Sequence, residues 1–95
     1  MKLVQYSTEI KANGNHLKDF GVVFKTKQEQ EIFDRVFVEL LNEEDPWTQE
    51  EIIFSNCEPA ELETEIFIES SRGEIAERTA DFKRLYKAAK AQSKR

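Results

Sequence analysis

Residues 61–70 read ELETEIFIES, and they decide the fold. Leu62, Thr64, Ile66 and Ile68 alternate with Glu61, Glu63, Glu65, Phe67 and Glu69. A side-chain period of two is that of a β-strand with one buried and one wet face, because successive residues of a pleated backbone point to opposite sides. The wet face carries four glutamates at steps of about 6.6–6.8 Å per two residues, with Phe67 in the same row. Like charges so placed repel one another. Two readings stand for this ladder. It is either an edge strand kept from aggregating by its charge, or a surface that meets a basic partner, with Phe67 as the apolar anchor.

Downstream, Arg72-Gly73 breaks the strand. From about Glu74 to the early nineties, Ile75, Thr79, Phe82, Leu85, Tyr86 and Ala89 recur at the spacing of one helical face. Beside that face Lys83, Lys87, Lys90 and Lys94 form a basic stripe, with Arg84 further round. Such a stripe suits phosphate contacts. It also places cations near a helix C-terminus, where the macrodipole favours them.

Upstream, Thr26 and Glu29 fit a capping box, so a helix begins near Lys27. Ile32, Phe33, Val36, Phe37, Leu40 and Leu41 make its apolar face and Asp45-Pro46 ends it, while Val38 falls among the polar positions and is expected to be exposed. Between Trp47 and Asn56 the signals conflict. Thr48 with Glu51 repeats the capping pattern, yet Ile52-Ile53-Phe54 is a short apolar run, and we read a strand. Cys57-Glu58-Pro59-Ala60 then turns the chain into residues 61–70.

At the N-terminal end, Val4, Tyr6, Thr8 and Ile10 alternate with Leu3, Gln5, Ser7 and Glu9, the pattern of a half-buried strand. Asn13-Gly14-Asn15 marks a turn into a second strand with Phe20, Val22 and Phe24 on one face. The order is β-β-α-β-β-α. Its simplest packing is an α+β fold, an antiparallel sheet of about four strands with two helices on one face.

The 95 residues suit one domain with frayed last residues, and 39% hydrophobic content with seven Phe is enough to build a core. No apolar run approaches a membrane span, so no membrane partner is expected. Cys57, the single cysteine, has no disulfide partner in the chain, which suits a reducing compartment and a cytoplasmic location. His16 is the only histidine and is expected to be solvated at the turn. With Cys57 alone beside it, the usual zinc, Cys-His and Ser-His-Asp sets are excluded. Gly14, Gly21 and Gly73 form no phosphate loop. No cofactor, metal site or catalytic residue is expected, and the carboxylates at Glu43-Glu44-Asp45 and Glu50-Glu51 read as solvated charge rather than a metal site.

Net charge is −5, and it is segregated. Residues 1–28 hold five lysines against Glu9 and Asp19, residues 29–69 hold fourteen carboxylates against Arg35 alone, and residues 70–95 hold eight Lys and Arg against Glu74, Glu77 and Asp81. The expectation is a non-enzymatic binding protein, a regulator or inhibitor of the kind a virus encodes. Its acidic face, Glu61, Glu63, Glu65, Phe67 and Glu69, would dock on a basic site of another protein, such as a nucleic-acid-handling enzyme, by imitating phosphate charge. The alternatives are a nucleic-acid contact through Lys83, Arg84, Lys87, Lys90 and Lys94, or a homo-oligomer in which basic helix meets acidic strand with Val38, Trp47 or Phe67 as anchors.

Overall fold

The computed structural model describes residues 1–55 and 62–94. Its elements run β1 (Lys2–Ile10), β2 (His16–Val23), α1 (Lys27–Asn42), α2 (Pro46–Glu51), β3 (Ile52–Ser55), β4 (Glu63–Ser70) and α3 (Ile75–Ser93). Two antiparallel hairpin-like pairs, β1·β2 and β3·β4, join along β2·β4, so the sheet order is β1-β2-β4-β3. It is an α+β fold.

The β1–β2 turn closes through Lys11 and Asn15, whose backbones share a 2.8 Å hydrogen bond, while Gly14 takes a φ of +87° that a residue with a Cβ adopts at a cost. The Thr26 half of the expected capping box forms at α1, while Glu29 reaches one residue further back than the box requires. Thr26 Oγ1 accepts from the Glu29 N–H at 3.1 Å, and Glu29 reaches back to the Lys25 N–H at 3.3 Å.

The face carrying Phe20, Val22, Ile52, Ile66 and Ile68 packs under α1 and α3. Five of its aromatic rings form a chain through this core. Phe24 lies 5.4 Å from Phe33, Phe33 5.6 Å from Phe37, Phe37 6.1 Å from Phe82, and Phe82 4.9 Å from Phe20. Close packing of rings at these separations contributes beyond their buried area. Every residue expected on the buried face of α3 is buried, and α1 buries Phe33, Val36, Phe37 and Leu41 with Ile32 and Leu40 partly covered.

Four expectations need correction. The stretch after Asp45 is not strand throughout. Asp45 caps a short helix whose first residue is Pro46, accepting from the Thr48 N–H at 3.0 Å, and the strand begins only at Ile52. A carboxylate before a proline is itself an N-terminal signal, because proline needs no partner for a missing N–H. Val38 is half-buried rather than exposed, and so is His16, which opens β2 instead of lying in the turn.

The fourth correction concerns β1. A register shift between Gln5 and Ser7 breaks its alternation, and Tyr6, Thr8 and Ile10 are exposed, Ile10 by 69%. The shift leaves Val4 beside Gly21 on one side of the sheet and puts Thr8 and Ile10 beside Lys18 and His16 on the other, so the expected single face is split. The expected turn at residues 57–60 lies outside the described residues.

Candidate functional site: an acidic sheet face

Strand order determines what the glutamate ladder can do. β4 lies between β2 and β3, so it is an interior strand, and the edge-protection reading of its charge is overturned. The edges are β1, broken by its bulge, and β3, only four residues long. Thr64, Ile66, Ile68 and Ser70 are buried against the helices, and Glu63, Glu65, Phe67 and Glu69 stand half-exposed on the opposite face. Glu61 lies outside the described residues.

Cross-strand register brings further residues to this face. Ile53 on β3 and Asp19 on β2 flank Phe67, and Leu17 pairs with both Glu69 and Glu9. Among the described residues no helix covers this side of the sheet. Ile53 is 43% exposed.

The carboxylates are held in place. Glu63 accepts from the Tyr6 phenol, which crosses β2 above Gly21. A Cβ on residue 21 would come within 3 Å of both groups, so glycine is what lets the two edges of this contact meet. The anion beside it, with burial and the nearby charges of Asp19 and Glu65, pushes the Tyr6 hydroxyl up to about 12. Glu69 accepts from Lys11 Nζ at 2.8 Å and Asn15 Nδ2 at 3.2 Å, and these donors hold its carboxyl below the usual range. Glu65 is also engaged. Side chains held this way lose less freedom on binding.

No protein-family model, curated protein or solved structure matches this chain. Its surfaces therefore have to speak for it. Among the described residues no group of His, Cys, Asp and Glu is arranged to hold a metal ion, and no helix is long and apolar enough to cross a membrane.

The basic stripe sits on the other side of the molecule. α3 turns Phe82, Leu85, Tyr86 and Ala89 inward, leaving Lys83, Lys87 and Lys94 exposed away from the sheet. Two members of the expected cationic set are occupied. Arg84 pairs with Glu44 and lies 3.6 Å from Asp81, and Lys90 leans over the Tyr86 ring at 6.0 Å. Arg84 belongs to a chain of charges in which Arg78 joins Glu51 and Asp81 at 2.9 Å each, clamping α2 and the end of α1 against α3. Glu44 thus has a structural use, which spacing along the chain did not reveal. Ala80, Lys83, Arg84 and Lys87 line a shallow groove of about 450 Å³.

Proposed function

We propose that the protein is a non-enzymatic regulator or inhibitor that docks its open sheet face on a basic site of another protein, such as a nucleic-acid-handling enzyme. The observation that carries this reading is the row Glu63, Glu65, Phe67 and Glu69 on an interior strand whose outer face no described element covers. An interior strand needs no charge to guard an edge, so edge protection does not account for the row. Held carboxylates around an apolar patch of Phe67 and Ile53 supply steering and an anchor together.

The test is capture of a partner on the immobilised chain, followed by association kinetics with the triple variant E63Q/E65Q/E69Q. The association rate is expected to fall by about tenfold or more at low salt, and its salt dependence to flatten. An unchanged rate would overturn the reading. A second reading, phosphate contact through α3, is favoured by the exposure of Lys83 and Lys87. A mobility-shift assay with DNA and RNA at about 50 mM salt decides it, because non-specific phosphate contacts are strongest there.

A further inference from the structure

Three features stand on the surface of the fold: the acidic row on the sheet, the apolar pair Phe67 and Ile53 within it, and the cationic groove on α3. They complement one another. The sheet and helices form two layers, and the molecule is 16 Å across in its thinnest dimension. The acidic row and the lysine stripe lie on opposite layers, so they have no way of meeting within one chain.

The repeats also match. Lys83 and Lys87 are one helical turn apart, about 6 Å along the axis, and Lys83 to Lys94 spans about 16 Å. Glutamates two residues apart on β4 are about 6.7 Å apart, and Glu63 to Glu69 spans about 20 Å. Between the lysines, Ala80 leaves a depression walled by the side chains of Lys83, Arg84 and Lys87. The methylene stems of such residues offer apolar walls while their charged ends stay wet. An aromatic side chain fits a depression of this kind.

We infer that the acidic sheet face of one copy docks on the α3 groove of a second copy, with Phe67 seated over Ala80 between Lys83 and Lys87, and Glu63, Glu65 and Glu69 beside the lysine stripe. The broad side of the molecule measures 38 by 25 Å, large enough to supply the roughly 800 Å² per partner of a standard interface. Because the two docking surfaces differ, the contact is head-to-tail, and each added copy leaves one acidic and one basic face free. The net charge of −5 opposes stacking at long range. Salt screens that repulsion beyond about 10 Å at 0.1 M, while the facing charges lie closer than that.

This inference rests on the sheet face being a docking surface and adds a partner, a second copy, that uses the same face. The experiment is sedimentation velocity over a range of concentrations, at about 50 mM and about 0.5 M salt. At low salt the mean mass is expected to rise with concentration above the 11.1 kDa monomer, and to return to it at high salt. K83E/K87E, at two exposed positions, and E65Q/F67A are each expected to be monomeric alone. Mixed, they retain one intact surface each and are expected to form a dimer that grows no further.

A monomer under all conditions overturns the inference, as does a mixture of the two variants that stays monomeric. So does an assembly that K83E/K87E leaves intact, which would be face-to-face or edge-to-edge. The proposed function is judged separately. K83E/K87E keeps the acidic face, so a captured partner that still binds it in a glutamate-dependent way leaves that reading standing even if the chain never self-associates.

Discussion

The phenol of Tyr6 donates to the carboxylate of Glu63 across the bare backbone of Gly21, tying edge strand to central strand over 57 residues of sequence. A phenol that donates to an anion resists ionisation, because its phenolate would face that anion directly. Spectrophotometric titration is expected to find Tyr6 ionising at about 12, and Glu63→Gln to bring it back toward the ordinary value of 10.0. Since the folded value is the higher one, the contact stabilises the fold fully below pH 10 and is lost as pH rises through 12. Gly21→Ala is expected to fold, because the atoms in its way are side-chain ends on an open face. It should nonetheless shift the Tyr6 titration downward, since the new Cβ displaces the contact.

Phe82 is fully buried, with its ring against Phe20, Phe37 and Tyr86. Phe82→Ala is expected to cost about 3–5 kcal/mol in urea denaturation, whereas a surface change such as Lys83→Ala stays within about 0.5 kcal/mol. Loss of helicity at 25 °C in the Phe82 variant would mean the total stability is smaller than this.

Asp34 and Glu69 respond to acid in opposite directions. Burial pushes the Asp34 carboxyl up, only partly offset by the Thr64 hydroxyl that donates to it at 2.6 Å. Its favourable contribution is present below the ordinary carboxylate pKa and lost as pH rises through its higher folded value. Glu69, held down by Lys11 and Asn15, contributes above the ordinary range and loses that contribution as pH falls through its folded value. Asp34→Asn keeps an acceptor for Thr64 without the charge. It is therefore expected to raise the urea midpoint at pH 7 and leave it nearly unchanged at pH 3, measured by circular dichroism.

Trp47 is 67% exposed at the start of α2. Its fluorescence is expected to be red-shifted and readily quenched by acrylamide in the folded protein, with little change on unfolding. A strongly protected Trp47 in dilute solution at high salt would contradict the packing of the α1–α2 corner.

α1 and α3 were legible because their information is local. The apolar residues of α1 and α3 recur at 3.6-residue spacing, and Thr26 with Glu29 marks a start within four residues of sequence. The alternation of Glu63 to Ser70 was equally plain, and so were the acidic row and the basic stripe as patterns. Misreadings came where a local signal competed with another or with the sheet. The apolar run Ile52-Ile53-Phe54 carried the strand reading back over a helix that Asp45-Pro46 starts, and the register shift near Tyr6 splits between the two sides of the sheet residues that simple alternation puts on one face.

The sequence by itself determined α1, β4 and α3 with their buried faces, and the presence of two opposite charge arrays, all of which follow from the periods of helix and strand. Only the tertiary structure decided that β4 is an interior strand, that Glu63 and Glu69 are held by Tyr6 and Lys11, and that Arg84 is tied to Glu44 forty positions away. It also put the acidic row and the lysine stripe on opposite layers. Such relations depend on which strands pair and which face the helices cover, and pairing over long separations leaves no periodic trace along the chain.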